Sequence, residues 1–279
     1  MFTVAQISDT HLGDGTSLFR ANFDIMVQAL AVAPPDLVVA TGDVSLDGAD
    51  AEADLAFAAA QYRRLPQALR AVPGNHDVGD HPEIAPRQPV NAERLARYRR
   101  HFSEDRWAID FPGWRLLGLN SQIMGSGLPD ETAQQEFLAA QLAALGDRRI
   151  AVFLHKPCFV TEPEDTTFDY WSVPPFARPS LAALYDHPAL RLVASGHLHL
   201  HHARQRGAAS FVWAPSVGFI VAEGEQLGLP GERPCGWLLH HFGTDAVTTE
   251  LVAPAEMERP FIHAVRAEAY PNSALLAAG

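Results

Sequence analysis

Leu69-Arg70-Ala71-Val72-Pro73-Gly74-Asn75-His76-Asp77 is the stretch whose reading decides the fold of this chain. A short apolar run of strand type stops at Pro-Gly, and the next three side chains are an amide, an imidazole and a carboxylate. Pro and Gly end a strand and let the backbone turn sharply. The three polar groups are then presented at the lip of a sheet, where binding and catalytic groups collect. Taken alone, Gly-Asn-His-Asp is also an ordinary turn, because Gly, Asn and Asp are common turn residues. The decision comes from the rest of the chain, where the same arrangement recurs.

Four more apolar runs stop in the same way. Residues 2–7 stop at Ser8-Asp9-Thr10-His11, and residues 36–40 at Thr41-Gly42-Asp43. Residues 149–154 stop at His155, and residues 190–194 at Ser195-Gly196-His197-Leu198-His199. Helices are expected between them. Residues 19–32 place Phe19, Phe23, Met26, Val27 and Leu30 at helical spacing, and Pro34-Pro35 ends that helix. Further helices are expected at 51–65, 92–102, 132–145 and 180–185, with a strand at 114–119. Residues 80–91 read as a surface loop and 157–179 as irregular. After residue 200 the pattern changes to strands, at 210–213, 236–242 and 246–252. There is no internal repeat and no linker, so one domain is expected over 1–253, followed by a tail, 254–279, to which no role is assigned. A β-α repeating chain of this kind buries sheets between helices.

Composition narrows the partners. Hydrophobic residues make up 47% of the 279 residues and charged residues 19%, ample for a large core and outside the disordered class. The formal net charge is -12 with no Lys/Arg-rich block. That argues against a nucleic-acid duplex or an anionic membrane as partner, since both need a positive footprint. A small anionic substrate then needs local positive charge, which metal ions supply. Arg94, Arg97, Arg99 and Arg100 read as the solvated face of a helix rather than a phosphate clamp. The two cysteines, Cys158 and Cys235, read as buried thiols. The start of the chain runs directly into a strand with no basic leader, and no apolar run approaches the ~20 residues of a membrane span. A cytoplasmic protein is the expectation; homo-oligomerisation stays open.

The five strand ends together carry Asp9, His11, Asp43, Asn75, His155, His197 and His199. In open α/β sheets ligands collect at the carboxyl ends of strands, and a His/Asp/Asn mixture suits divalent first-row metals. Two residues at i and i+2 around a tight bend can aim into one site. Seven ligands suffice for two metals if one carboxylate bridges them.

At this point the sequence resembles the calcineurin-like metallophosphoesterase family. Its succession of Asp-x-His, Gly-Asp, Gly-Asn-His-Asp/Glu, a single His and Gly-His-x-His is complete here and in order, over about residues 3 to 200. The resemblance implies an α/β fold: a four-layer α/β/β/α sandwich of two mixed β-sheets flanked by helices. It also implies two divalent metal ions, of which Mn, Fe, Zn and Co all fit N/O ligands. Carried onto this chain, Asp9, His11 and His199 would bind one metal. Asn75, His155 and His197 would bind the other, and Asp43 would bridge. His76 would face the substrate. A hydroxide activated by the metals would attack phosphorus, with His76 donating the proton to the leaving oxygen.

The spelling Thr-Gly-Asp, an Asp-Gly downstream and Gly-Asn-His-Asp is most similar to the bacterial class III cyclic nucleotide phosphodiesterase branch, which includes cyclic-AMP and glycerophosphodiester hydrolases. A small phosphodiester substrate is therefore expected. A phosphomonoesterase or nucleotide pyrophosphohydrolase would use the same site, a DNA nuclease would conflict with the acidic charge, and a non-catalytic metal-binding scaffold would not explain an intact ligand set. Phe168-Asp169-Tyr170-Trp171 and residues 79–91 are expected to frame the site; Tyr170 and Trp171 either stack on a base or pack their loop. Asp47 resembles an acidic residue that orients the catalytic His in phosphatase relatives, with a turn Asp as the alternative. Asp77 reads as a turn or N-cap residue. His101, His187, His201, His202, His240, His241 and His263 lack strand-end context and read as surface or satisfied histidines.

Overall fold

The computed structural model describes residues 1–226 and 228–269; Leu227 and residues 270–279, with the end of the expected tail, lie outside the described residues. In chain order the elements are β1 (Phe2–Ile7), α1 (Arg20–Val32), β2 (Leu37–Thr41), α2 (Glu52–Tyr62), β3 (Leu69–Val72), α3 (Asn75–Val78) and α4 (Ala92–Phe102). There follow β4 (Trp107–Phe111), β5 (Trp114–Gly118), α5 (Pro129–Ala143), β6 (Arg149–Phe153), α6 (Ala182–Tyr185) and β7 (Leu190–Ser195). The chain continues with β8 (His202–Arg206), β9 (Ala209–Trp213), β10 (Trp237–Phe242), β11 (Val247–Val252) and α7 (Ile262–Ala269).

The strands form two mixed sheets, in the orders β11-β10-β1-β2-β3 and β4-β5-β6-β7-β9-β8. Side chains on a strand alternate between faces, and here both faces of the central strands are covered. From the first sheet Phe2, Val4, Leu37 and Val39 meet Leu116, Phe153, Leu192 and Val212 of the second, making the inter-sheet layer. The alternate residues Ala5, Ile7, Val38 and Ala40 pack under α1, α2 and α4. The second sheet turns Leu117, Ile150, Val152 and Val193 toward α5 and α6. Four layers result, α/β/β/α. One polar line crosses the inter-sheet layer: Gln6 Nε2 donates to Thr41 Oγ1 (3.0 Å) and to the Ser195 carbonyl (3.1 Å), and Gln6 Oε1 lies 3.0 Å from His240 Nε2.

Several elements differ from the expectation. α2 ends at Tyr62, and α5 starts earlier, at Pro129, where proline suits the first helical turn. β4 and β8 are strands at the two edges of the second sheet. The arginines of α4 are not simply solvated. Arg94 and Arg97 donate to the Ala49 carbonyl, Arg99 bridges Asp105 and Asp130, and Arg100 pairs with Glu52. Residues 157–179 carry little regular structure, yet buried Arg178 organises them by donating to the Val173 and Asp165 carbonyls and to Ser172 Oγ. After Ala253 the chain folds back: Asn22 of α1 exchanges two hydrogen bonds with the Glu258 backbone, and Ile262 packs with Phe19, Leu46 and Phe219. Both cysteines are buried and free. No helix among the described residues is long and apolar enough to cross a membrane.

Candidate metal centre

The carboxyl ends of β1, β2, β3, β6 and β7 converge on one point of the molecule. The loops after β1 and β2 continue side by side beyond the sheet, with the Asp9 and His11 amides donating to the Gly42 and Asp43 carbonyls at 3.1 and 3.0 Å. They do so in an unusual conformation. Seven non-glycine residues among those described have positive φ, and five of them are Asp9, His11, Asp43, His197 and His199. L-residues avoid this region at a cost of about 1–3 kcal/mol each, and such strain gathers at functional sites. It folds each bend so that the i and i+2 side chains face the same way. Two glycines make room: a Cβ on Gly74 would fall on the Asp43 carboxylate, and one on Gly196 would collide with Ser8 and approach Asp9 Oδ2.

Two groups of donor atoms result. In the first, His199 Nε2 lies 3.3 Å from both His11 Nε2 and Asp9 Oδ1, with Asp9 Oδ1 and His11 Nε2 4.0 Å apart. In the second, His155 Nε2 lies 3.1 Å from Asn75 Oδ1, 3.1 Å from His197 Nδ1 and 3.3 Å from Asp43 Oδ2. Asp43 Oδ2 also lies 3.8 Å from His11 Nε2, so this one oxygen stands between the groups. The other carboxylate oxygens are held elsewhere: the His76 amide donates to Asp43 Oδ1 (2.8 Å) and the His197 amide to Asp9 Oδ2 (3.1 Å).

Protons cannot satisfy this arrangement. His155 Nε2 carries at most one hydrogen, yet three other donor atoms crowd around it. Asp9 Oδ1 is buried and has no hydrogen-bond partner among the described residues. Ligands about 2.0–2.2 Å from a shared cation stand about 3.0–3.5 Å from one another, the spacing of the contacts made by His199 and His155, while His11 stands wider, 4.0 Å from Asp9 Oδ1 and 3.8 Å from Asp43 Oδ2. The residues fit two cations, with Asp43 shared.

The ring orientations agree. A carbonyl only accepts, so the ring nitrogen facing one bears the proton. His155 Nδ1 donates to the Thr41 carbonyl (2.8 Å), His199 Nδ1 to Phe219 (2.8 Å) and His197 Nε2 to Tyr170 (2.9 Å). In each ring the opposite nitrogen, facing the cluster, is the one left for a ligand, and such outer hydrogen bonds are usual for metal-binding histidines. Burial, and then the neighbouring His76, hold His11 well below the ordinary imidazole value; burial and His155 do the same to His197. Neutral rings are the ligating form. His155 is the exception: with no cation present it pairs as imidazolium with Asp43, and a cation would displace its Nε2 proton. Burial opposes both charges, but the Asp43 carboxylate outweighs it and raises His155 to about 9.

His76 stands at the edge of the cluster, half-buried, its ring edge-on to His11 with centroids 4.7 Å apart. Its Nδ1 donates to the Leu46 carbonyl (2.8 Å). The Asp47 carboxylate accepts from Gln88 Nε2 (2.9 Å). Asp77 does more than cap. Buried, it accepts from the Gly74, Val44 and Ser45 amides and from Ser45 Oγ, stitching the Gly-Asp loop to the Gly-Asn-His-Asp turn. Burial and nearby Asp43 push its carboxyl up to about 6.

All seven expected ligands and His76 thus lie together. The residues that sequence reasoning missed are Leu46 and Phe219, which act through backbone carbonyls, and the buried Lys156–Asp80 pair (2.6 Å) beside His155; Tyr170, expected to frame the site, reaches it through both its carbonyl and its hydroxyl. The remaining histidines face elsewhere: His101 reaches Glu52, His201 the Trp213 carbonyl, His240 Gln6 and Thr249, and His241 Glu250. His81, not singled out from the sequence, is buried and lies 3.1 Å from the Gly125 carbonyl.

Two sheets with a His/Asp/Asn cluster at their shared lip define a metal-dependent phosphoesterase. The description of the calcineurin-like phosphoesterases matches residues 2–201, and the chain belongs to that family. It is 29% identical over 237 residues to 3′,5′-cyclic adenosine monophosphate phosphodiesterase CpdA of Pseudomonas aeruginosa, covering 79% of this chain and 78% of that one. Over 175 residues it is 29% identical to a probable glycerophosphodiester phosphodiesterase GpdQ of Arcobacter nitrofigilis, covering 55% of this chain and 56% of that relative. A dimetal phosphatase from Danio rerio superposes with a TM-score of 0.59 at 14% identity, over 90% of this chain and 95% of that one, a likeness of fold.

Proposed function

We propose that this chain hydrolyses small phosphodiesters of the cyclic-nucleotide or glycerophosphodiester type, at two divalent cations. Asp9, His11 and His199 would hold one, Asn75, His155 and His197 the other, with Asp43 between them. The observation that carries the reading is the pair of donor groups joined at Asp43 Oδ2, with spacings that suit cations and not protons. The names of both similar phosphodiesterases support the substrate class. When bound, such a cation pair activates water as nucleophile and neutralises charge on the phosphate oxygens.

The chain's own residues supply the rest. His76, with Nδ1 on the Leu46 carbonyl, offers Nε2–H to the leaving oxygen when protonated, a general-acid role. The buried Asp9 and Asp43 carboxylates each spend one oxygen on a backbone amide, which fixes the direction of the other. Exposed Phe168 and Phe176 stand with His81 outside the centre, rings 5.4 to 5.9 Å apart, and offer apolar faces to the part of the diester beyond the phosphate. Mn, Fe, Zn or Co as the metal and a cytoplasmic place of action belong to the same proposal.

The test is a substrate panel with Mn²⁺-loaded protein: 3′,5′-cyclic AMP, glycerophosphodiesters, bis-p-nitrophenyl phosphate and p-nitrophenyl phosphate. Diesters are expected to turn over at least about tenfold faster than the monoester, that margin being a transition-state difference of about 1.4 kcal/mol. Faster monoester hydrolysis, or none with any of the four metals, would overturn the reading.

A further inference from the structure

We propose that Tyr170 is the positioning residue for one of the two cations, setting the Asn75 amide and the His197 ring from a strap outside the sheets; this rests on the dinuclear reading above. An asparagine ligates only through its oxygen, and an amide turned by half a revolution would aim two N–H groups at the cation instead. A carboxylate, with two equivalent oxygens, does not share this weakness. Asn75 is the only amide in the expected ligand set, so something must select its orientation. Its Nδ2 donates to Tyr170 Oη at 3.1 Å, and its Oδ1 then faces His155 Nε2 at 3.1 Å.

The same residue holds a second ligand of the same group. The Tyr170 carbonyl accepts from His197 Nε2 at 2.9 Å, which leaves His197 Nδ1 toward the cluster. The phenol ring packs on His197, centroids 4.6 Å apart, and Lys156 Nζ lies 5.0 Å from the ring centre. Lys156 is itself fixed by Asp80. Without helix or strand around it, Tyr170 is placed by the strap: Arg178 gathers the Val173 and Asp165 carbonyls, and the Val173 amide returns to the Pro157 carbonyl (2.9 Å) just beyond β6. The other group has no such dependence. Asp9 and His11 need no amide selected, and His199 is set by Phe219.

The consequence is asymmetric. Removing the Tyr170 hydroxyl weakens one cation and spares the other. Mn²⁺ binding is measured by calorimetry and by elemental analysis after dialysis, on wild type, Tyr170→Phe, Asn75→Ala and the double variant. Wild type is expected to bind two ions. Y170F keeps one at wild-type affinity, which also reports a folded chain, and binds the second about 10- to 100-fold more weakly, the usual effect of losing an outer hydrogen-bond partner. In the N75A background Y170F costs nothing further, because no amide remains to orient. Two wild-type affinities in Y170F, equal weakening of both ions, or the full Y170F factor persisting in N75A would each overturn the role of Tyr170. Fewer than two ions on wild type would instead overturn the dinuclear reading beneath it.

Discussion

His76 and Asp43 are in direct contact, through the His76 amide and Asp43 Oδ1, yet the proposed roles of the two are separable by experiment. In His76→Ala that amide remains, so the carboxylate keeps its direction and the cations stay. Turnover of a diester is expected to fall about 10²- to 10⁴-fold, the usual worth of a positioned acid. In Asp43→Ala the shared ligand is gone, and metal content and activity are expected to fall together. Steady-state rates paired with elemental analysis distinguish the two; an H76A protein that loses its metal would contradict the division of roles. The side chains that gather at the centre were legible in the sequence because each one follows an apolar run and has a chemistry of its own. The supports were not. Leu46 and Phe219 act through carbonyls, which every residue possesses, so no residue type announces them; Tyr170 was in view as a framing residue, but its bonds to Asn75 and His197 were not. Asp77 looked like a turn residue because its four donors come from two loops brought together only by the fold.

At the scale of elements, α4 is tied to the loop that carries the Leu46 carbonyl. Arg94 Nε donates to the Ala49 carbonyl (3.0 Å), its guanidinium reaches Pro89 and Asp50, and the Ala49 amide in turn donates to the His76 carbonyl (2.9 Å). Arg94→Ala removes one donor from the Ala49 carbonyl, which keeps Arg97, and one from the Pro89 carbonyl. A loss of about 0.5–1.5 kcal/mol is expected, read as a melting temperature lower by a few degrees. An unchanged melting curve would show that α4 is held by its apolar face, Leu95 and Tyr98, alone. The core strands were readable for a simple reason: β1, β2, β6 and β7 are largely buried on both faces and spell mostly apolar runs. β8, His-Ala-Arg-Gln-Arg, is an edge strand without that signal, and polar edges are how sheets avoid further pairing. β4 is half-exposed at the opposite edge. α7 is a short helix anchored by tertiary packing, its Ile262 meeting Phe19 and Phe219.

At the scale of the molecule, the two sheets are held by an apolar layer with one polar line through it, and that line makes stability depend on pH. His240 is fully buried between Thr249 Oγ1 and Gln6 Oε1. Burial, then His241 and His201, bring its pKa from 6.5 down to about 3. The unfolded chain therefore takes up a proton near pH 6.5 that the folded chain refuses until about pH 3. This stabilisation is complete above pH 6.5 and is lost as pH falls toward 3, about 2 kcal/mol by pH 5. Urea unfolding of chelator-treated protein at pH 7 and pH 5 is expected to show a larger acid loss in wild type than in His240→Gln, by about that amount. Equal losses would contradict it. Sheet order was the part least open to sequence reading: β10 lies antiparallel beside β1 although more than 200 residues separate them, a pairing set by packing between layers and by no local pattern.

All three scales meet at the donor groups on the shared lip of the sheets. The most direct measurement is anomalous diffraction at the manganese edge from crystals grown with Mn²⁺. The account predicts two peaks, one bounded by Asp9, His11 and His199, the other by Asn75, His155 and His197, with the Asp43 carboxylate between them. A single peak, or peaks away from these side chains, would contradict it.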